Sequence, residues 1–441
     1  MIILRSMKNI SSLNIVASVL LFVTAILAAV VANSSLAPAY NSFLSHELHL
    51  RIGDFNLFSH GGHPLTMLQF INDCLMAIFF LAVGLEIKRE LLVGELSSFR
   101  KAILPFIAAC GGMILPVLIY SFWVEPGSPE VQGMAIPMAT DIAFSLGVLS
   151  LLGKRVPLCL KIFLTAFAVV DDIGGILVIA IFYSGHVSYW YLVAAAFLYL
   201  FLYYMGRMGV TEKLFYLFFG VIIWYLFLQS GIHSTISGVI LAFVIPARPR
   251  LDAGKYIERI RGIIDEFPVL KSDHIVLTKE QIAKLKRVER ASDHVISPLQ
   301  SLEDNLHGLV NFVILPLFAF ANAGVVLGES GSLVGNVSVA VAVGLLLGKF
   351  VGILVFTWVA IKLGVARMPE GMNWKNLAGV SLLGGIGFTV SLFIANLSFA
   401  DGYPELLNQA KFGVLLGTVL SGFLGYLVLN KVLPLIQKDN T

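Results

Sequence analysis

Charged residues are scarce in this 441-residue sequence, at 13% of the total. Soluble domains carry roughly 25% charged residues, so a soluble globule is excluded. Cysteine is also scarce: Cys74, Cys110 and Cys159 are the only three, and each lies inside an apolar run. None has the spacing of a metal site or a partner on a loop, so the sequence predicts neither a disulfide framework nor a zinc site. The formal net charge is only +3, which gives no bulk attraction to nucleic acid.

Apolar residues make up 58% of the chain and are gathered in long runs. About 20 apolar residues cross a bilayer as one helix. We therefore expect an all-α polytopic membrane protein that forms one transmembrane domain over 1–441. The runs predict about twelve spans, near 13–32, 66–90, 102–124, 131–152, 156–183, 188–206, 213–229, 231–246, 308–328, 335–361, 376–399 and 408–430. The first run is long enough to favour a retained helix over a cleaved signal peptide.

The distribution of basic residues gives an independent test of this topology. If the twelve spans alternate, both termini lie on the same side as the connections near 88–101, 154–155, 207–213, 248–294 and 362–375. All but four of the 30 Lys and Arg residues fall on that side, the exceptions being Arg51, Lys161, Lys349 and Lys411. Cytoplasmic connections carry an excess of Lys and Arg. Both termini are therefore predicted to be cytoplasmic.

Two connections are long enough to have structure of their own. Within 40–62, alternating apolar residues precede the pair Gly53 and Asp54, a pattern that predicts a small β-hairpin on the external surface, where it would contact another subunit. The stretch 247–296 between spans 8 and 9 is a cytoplasmic insertion that mixes both charge signs. Within it, TKEQIAKLKRVER is typical of a short amphipathic helix that begins after a Thr278 cap.

An ionisable side chain near the middle of a bilayer costs at least about 2.5 to 3.5 kcal/mol, so each one is a functional candidate. Asp171 and Asp172 lie in LTAFAVVDDIGGILVIA, near the middle of a span. Adjacent helical residues point about 100° apart, so one acid can face an aqueous cavity while the other meets a neighbouring helix. Carboxylate oxygens bind hard cations such as Na⁺ or Li⁺, and the same oxygens bind protons. Competition between the two ions for one site is an exchange mechanism.

Lys349 lies near the middle of the predicted span 335–361, beyond the reach of its side chain to either surface. It must form an internal pair or release its proton. Asp171 or Asp141 is the predicted partner, and the pair is either a permanent structural contact or one that changes during coupling.

Two predicted spans contain residues that interrupt helices. Span 4 has Pro137 before Asp141, and span 11 has Gly384, Gly385 and Gly387. Broken helices in corresponding positions of two inverted repeats mark ion sites in secondary transporters. We expect the two broken helices to cross, with Asp141 offsetting their exposed amide ends and Lys349 their exposed carbonyl ends.

Seven segments resemble the signature segments of NhaA-type Na⁺/H⁺ antiporters, in order and over most of the chain: FFLAVGLEIKREL, ATDIAFSLGVL, FAVVDDIGGI, SGIHSTISGVI, ILPLFAFANAG, GLLLGKFVGI and GGIGFTVSLFIA. The resemblance implies a secondary active transporter of the bacterial inner membrane, not an enzyme, with no cofactor. It implies electrogenic exchange of cytoplasmic Na⁺ or Li⁺ for external H⁺ and a homodimer joined partly through the hairpin. Antiporters of this family are among the transporters in which broken helices are known to mark ion sites, so the broken helices do not support the resemblance independently.

The same resemblance implies roles for individual residues. Asp171 and Asp172 would form the cation and proton site, Thr140 and Asp141 would lie at the crossing, and Lys349 would form the partner ion pair. A cytoplasmic cluster that senses pH and activates transport in alkali would comprise Glu86, Glu90, Glu303 and His307, with His233 on the eighth span also implicated.

The cluster departs from the family pattern at three positions. Asp304 stands where a second histidine is expected, and Gln300 and Ser301 stand where basic residues are expected. The insertion before them is also longer. We therefore expect a shifted or weak pH response, and His307 alone fits a solvated loop histidine equally well.

Three other functions are compatible with buried acids in a membrane protein. An intramembrane aspartyl protease requires a GxGD element, whereas this chain reads GGIGFT without an acid. A sodium-coupled solute symporter of similar fold is the principal alternative, and it would need a pocket for an organic substrate. A passive cation channel would show conductance far above the rate of a carrier.

Overall fold

The computed structural model describes residues 2–52, 55–60, 63–183, 185, 187–248, 253–266, 278–326, 333–400 and 402–434. The chain is mostly helical, as its long apolar runs require, because a helix satisfies every backbone polar group within the bilayer. We number the helices in chain order: α1 (Ile2–Ala32), α2 (Ala37–Leu44), α3 (Met67–Leu92), α4 (Phe99–Trp123), α5 (Ile142–Leu151), α6 (Leu158–Phe182), α7 (Tyr189–Arg207), α8 (Lys213–Ser230), α9 (Thr235–Val244), α10 (Ala253–Asp265), α11 (Lys279–Val295), α12 (Pro298–Asn322), α13 (Asn336–Lys362), α14 (Trp374–Leu383), α15 (Phe388–Phe399) and α16 (Pro404–Val432).

Among the described residues, nine helices are long and apolar enough to cross a membrane, or up to eleven if each of two bent helix pairs is one span. The chain is therefore a polytopic helical membrane protein. Helix α9 has only 10 residues, which at 1.5 Å per residue is about half of the 30 Å hydrocarbon thickness. The predicted number of twelve spans stays a prediction.

The two bent pairs contain the helix-interrupting residues noted above. The 3₁₀ helix Pro129–Met138 bends by 44° into α5, and α14 bends by 45° into α15. Asp141 has extended backbone angles (φ −91°, ψ 103°) immediately before α5 begins. The glycines of the second pair permit close backbone contact, since a Cβ at Gly385 would lie 2.4 Å from the Leu345 carbonyl oxygen. At both bends the sequence thus leaves backbone amides and carbonyls available for hydrogen bonds outside their own helix.

Three helices of the described chain each contain one π-helical turn. These turns are Ile71–Leu75 in α3, Val310–Ile314 in α12 and Gly344–Gly348 in α13. Such turns are rare overall, but those that occur often lie at functional sites, because each one shifts the side chains that follow it. The turn in α13 ends directly before Lys349, so it helps to set the direction of this side chain.

Helices α4 and α13 approach each other through glycine. A Cβ at Gly111 would lie 2.3 Å from the Gly352 carbonyl oxygen, and a Cβ at Gly352 would lie 2.2 Å from the Gly111 carbonyl oxygen. Small residues allow this close packing in membranes, where no hydrophobic driving force joins helices. The contact fixes α13 three residues beyond Lys349.

The described part of the segment between α2 and α3 contains two short antiparallel strand pairs, and the small β-hairpin predicted within 40–62 stays a prediction. Strand β1 (Arg51–Ile52) pairs with β2 (Phe55–Asn56), and β3 (Ser59–His60) pairs with β4 (His63–Pro64). The predicted turn at Gly53 and Asp54 lies outside the described residues.

The insertion between α9 and α12 contains two helices in its described part, α10 and α11, which pack on each other. The helix predicted after Thr278 is present. The Thr278 hydroxyl accepts from the Gln281 amide at 3.3 Å, and the Gln281 side-chain oxygen accepts from the Thr278 amide at 2.9 Å. This reciprocal cap closes the first turn of α11. Parts of the predicted insertion, including 249–252 and 267–277, lie outside the described residues.

Candidate cation and proton site

The two interrupted helices touch each other at their bends. The Thr140 hydroxyl donates to the Gly384 carbonyl at 2.8 Å, and the Asp141 amide donates to the Ile386 carbonyl at 2.7 Å. These contacts use polar backbone groups that the bends release from their own helices. In a bilayer such groups need a partner, because an unsatisfied one costs several kcal/mol. The crossing is therefore held by hydrogen bonds and not only by packing.

The Asp141 carboxylate caps two helices at this crossing. One oxygen accepts from the Phe144 amide at 2.9 Å, in the first turn of α5. The other accepts from the amide of Thr389 at 3.2 Å and from its hydroxyl at 2.7 Å, in the first turn of α15. A negative charge at a helix N-terminus is stabilised by the helix dipole and by the free amides. Asp141 thus holds the two N-terminal ends together.

Lys349 forms a fully buried ion pair with Asp171. Its Nζ lies 2.6 Å from Asp171 Oδ2, and both side chains have zero exposure. The same ammonium donates to the Thr140 hydroxyl at 2.9 Å and lies 5.5 Å from the centre of the Phe167 ring. Of the two predicted partners it therefore contacts Asp171 and not Asp141. Its hydrogen bonds in the described structure go to side chains, whereas the sequence suggested that it would offset helix carbonyls.

The two neighbouring acids of α6 have different surroundings. Asp172 lines a cavity and forms no hydrogen bond or ion pair with any described residue. Asp171 faces Lys349, yet its Oδ1 is buried and no donor in the described structure reaches it with hydrogen-bond geometry, although Thr140 lies beside the carboxylate. Buried carboxylate oxygens are normally satisfied, so an open one marks a place for a cation or a proton.

A cavity of about 300 Å³ leads to Asp172. Its polar lining comes from the helix crossing, α3, α6 and α12, and comprises Glu86, Arg89, Thr140, Asp141, Asp172, Glu303, His307, Asn311 and Thr389. His307 is exposed, whereas Asp172 is 9% exposed. Acidic groups outnumber the single arginine along this path. Clefts with walls of one charge sign concentrate counter-ions, so the cavity favours entry of cations.

Arg89 lies between two of the predicted pH-sensing acids. Its guanidinium is 3.2 Å from Glu90 Oε1 and 2.9 Å from Glu303 Oε1, so it joins α3 to α12. Glu90 also accepts a hydrogen bond from the Glu95 amide at 3.1 Å. Sequence reasoning did not single out Arg89, although its position directly before Glu90 in KREL could have indicated it.

His233 lies apart from these residues. Its Nδ1 is 3.9 Å from Asp73 Oδ1, and its ring is 5.8 Å from the ring of Phe393. It does not line the cavity that leads to Asp172. The structure thus brings together the other predicted pH-sensing residues, Glu86, Glu90, Glu303 and His307, but not His233.

Thr389 is a further residue that sequence reasoning did not single out. It is 2% exposed and donates to Asp141 with both its amide and its hydroxyl. Its place two residues after Gly387, in the first turn of α15, was the available signal, because the first residues of a helix expose their amides.

The sequence matches known proteins over nearly its whole length. The sequence model of the family described as Na⁺/H⁺ antiporter 1 matches residues 8–429. A protein named Na(+)/H(+) antiporter NhaA from Bacteroides thetaiotaomicron is 73% identical over 438 residues, which cover 99% of this chain and 100% of that protein. Proteins of the same name are 72% identical over 434 residues in Bacteroides fragilis, covering 98% of this chain and 99% of the relative, and 44% identical over 425 residues in Helicobacter pylori, covering 96% and 95%. The resemblance drawn from the sequence is thereby confirmed, and the chain belongs to the Na⁺/H⁺ antiporter family of secondary transporters.

Proposed function

We propose that this chain exchanges Na⁺ or Li⁺ for H⁺ across a bacterial inner membrane by alternating access, with Asp172 and Asp171 as the shared site of the cation and the protons. The observation that carries the proposal is the contrast between the two acids. Asp172 is open to a cavity without a partner, while Asp171 is held by Lys349 and keeps one unsatisfied oxygen.

Charge counting indicates how exchange works at this site. Asp171, Asp172 and Lys349 together carry one negative charge when all three are ionised. A cation that enters the cavity neutralises that charge at Asp172, and so does a proton. One ion therefore excludes the other, because a second positive charge in a low-dielectric interior is strongly disfavoured. This competition couples sodium movement to proton movement.

Two titratable acids face one monovalent cation. When the cation bridges both carboxylates, it draws Asp171 away from Lys349, and Lys349 then releases its proton while both acids are deprotonated. When the cation leaves, one proton returns to Asp172 and one to Lys349, which pairs with Asp171 again. Exchange of two protons for one sodium ion moves net charge, so the proposed exchange is electrogenic and is driven by the membrane potential as well as by the proton gradient.

The alternating access that we propose uses twelve spans arranged as two inverted repeats, with both termini cytoplasmic. The bends of spans 4 and 11 lie at the ion site, and their mutual hydrogen bonds can be exchanged as one repeat rocks against the other. The cavity described above would then be the cytoplasmic pathway, because it opens beside Glu303 and His307, which adjoin the basic insertion.

For regulation, we propose that Glu86, Glu90, Glu303 and His307 respond to cytoplasmic pH at the mouth of this cavity. Arg89 joins two of these acids across α3 and α12, so a change in their charge alters the contact between two helices that line the ion pathway. His233 would act separately, through Asp73. For assembly, we propose a homodimer that uses the strand pairs between α2 and α3.

The test is exchange by purified protein reconstituted in vesicles with an imposed pH gradient. Asp172→Asn and Asp171→Asn are expected to abolish sodium-driven proton movement, whereas the control Glu125→Gln, an exposed acid outside the helices, keeps it. Full exchange by either aspartate variant would refute the site. Sodium-driven uptake of an organic solute without proton movement would favour the symporter alternative instead.

A further inference from the structure

We propose that the helix pair α10 and α11 of the insertion docks on the anionic lipid surface of the membrane, with its open apolar face against the lipid. This inference concerns a part of the chain that the proposed exchange does not use. It rests on the proposed cytoplasmic location of the insertion, on the exposed side chains of both helices and on the charges beside them.

Each helix has an apolar face that is only partly covered by the other helix. In α10, Ile260 and Ile263 are partly buried, while Ile257 and Ile264 are 56% and 61% exposed. The two exposed isoleucines are seven residues apart, or about two turns, so they lie on the same face. In a soluble helix this face would pack against a core.

The second helix repeats the pattern. Ile282 and Leu285 of α11 are 39% and 46% exposed, and they are neighbours on the helix surface because they are three residues apart. Neither α10 nor α11 has an extensive contact with another element of the described chain. The described part of the chain therefore leaves four large aliphatic side chains of this helix pair exposed.

Basic side chains lie beside these apolar residues. Arg261 follows Ile257 by four residues, and Lys286 follows Ile282 by four residues, so each is one turn from an exposed isoleucine. Both are exposed. The two helices together have eight Lys and Arg residues against five Asp and Glu residues. An exposed aliphatic face bordered by basic side chains is typical of helices that lie in the interface of an anionic bilayer.

The position of the insertion in the chain favours lipid over a soluble partner. Helix α9 ends at Val244, where Lys88 donates to the Phe243 carbonyl at 2.8 Å, and α12 begins at Pro298. Both ends of the insertion thus leave from the ends of helices embedded in the membrane, which keeps α10 and α11 near its surface. The cytoplasmic leaflet carries anionic headgroups that attract nearby Lys and Arg.

The experiment uses the full chain with Cys74, Cys110 and Cys159 replaced by alanine. Single cysteines are introduced as Ile257→Cys, Ile264→Cys and Ile282→Cys, with Glu258→Cys as the control on the polar face of α10, and each is spin-labelled. The proteins are reconstituted in vesicles of phosphatidylcholine alone or with phosphatidylglycerol. Collision of the label with oxygen, which concentrates in lipid, is compared with collision with a water-soluble nickel chelate.

We expect the ratio of oxygen to nickel accessibility to be severalfold higher at the three isoleucine positions than at 258 in vesicles with phosphatidylglycerol. The ratio should fall in phosphatidylcholine alone and at high salt, because screening weakens the attraction. Adding Arg261→Glu and Lys286→Glu should lower it even with phosphatidylglycerol present. Sodium-dependent proton exchange by each labelled protein verifies that the chain is folded.

Three results would overturn the proposal. Equal nickel accessibility at all four positions would show that the face is in water. Shielding of the isoleucine positions from both reagents would show that protein covers the face, either a second copy or another part of this chain. A high ratio that does not depend on phosphatidylglycerol would show that the anionic headgroup has no role.

Discussion

Lys349 Nζ lies 2.6 Å from Asp171 Oδ2, and neither side chain is accessible to solvent. Removing two charges from water costs several kcal/mol per ion, which the pair recovers only while its geometry is kept. Asp172, the next residue along α6, has no such partner and lines the cavity. The site thus has one acid that is held by an ion pair and one that is available to a cation or a proton.

The first prediction concerns the ion pair. Lys349→Gln should abolish exchange and lower the free energy of unfolding by about 3 to 5 kcal/mol, because Asp171 is left as an uncompensated buried charge. The double variant Lys349→Gln with Asp171→Asn should be more stable than Lys349→Gln alone but still inactive. Thermal unfolding in detergent and vesicle exchange measure the two effects. Equal stability of the single and double variants would show that the pair is not coupled.

Variants of the two neighbouring acids should differ in stability, although both acids are proposed to take part in exchange. Asp172→Asn is expected to change the free energy of unfolding by no more than about 0.5 kcal/mol, since the side chain has no partner in the described structure. Asp171→Asn should destabilise clearly more, because it leaves Lys349 buried without a counter-charge. Unfolding of both variants at one pH is the measurement, and the reverse order would contradict the assignment of Lys349 to Asp171.

The hydroxyl group of Thr389 should be needed for the full rate of exchange. Thr389→Val keeps the shape but removes the donor to Asp141, so we expect the rate of exchange to fall about tenfold, equivalent to a hydrogen bond to a charged group of about 1.5 kcal/mol. Thr389→Ser keeps the donor and should retain most of the activity. If valine and serine variants exchange at the same rate, the hydroxyl does not support the crossing.

Arg89 should affect the pH profile more than the maximal rate. Arg89→Gln removes the cation between Glu90 and Glu303, and the remaining repulsion between the acids is relieved when one binds a proton. If deprotonation of the cluster activates transport, half-maximal exchange should move to a more alkaline pH. Arg89→Lys keeps the charge and should stay close to the wild type. The measurement is exchange rate against pH in vesicles, and an unchanged or more acidic midpoint for Arg89→Gln would refute the role.

The glycine contact between α4 and α13 should be intolerant of a methyl group. Gly111→Ala would place its Cβ against backbone, 2.3 Å from the Gly352 carbonyl oxygen, so the helices must move apart at a cost of roughly 1 to 3 kcal/mol. The control Gly175→Ala meets no atom within 4 Å and lies inside α6, where alanine is expected to stabilise by roughly 0.5 to 1 kcal/mol. The melting temperature is expected to fall for Gly111→Ala and to rise for Gly175→Ala. Similar shifts for the two variants would show that the contact between α4 and α13 tolerates a methyl group.

Several features of the fold follow from local sequence alone. Apolar runs of span length predict a polytopic helical membrane protein because length and hydropathy are properties of one segment. The bend before α5 follows Pro137, and the one before α15 coincides with Gly384, Gly385 and Gly387. Helix α9 shows the limit of this reasoning, since its predicted run 231–246 contains a helix of only ten residues.

The composition and motifs of the chain, by themselves, determined its class, its family and the short set of ionisable residues within the spans, because a charge in an apolar run stands out in any sequence. Only the tertiary structure decided which of those charges meet. The partner of Lys349 is 178 positions away, and Asp141 reaches Thr389 across 248 positions. Such contacts depend on the angle and depth at which helices pack. Local patterns of hydrophobicity carry no record of these two quantities.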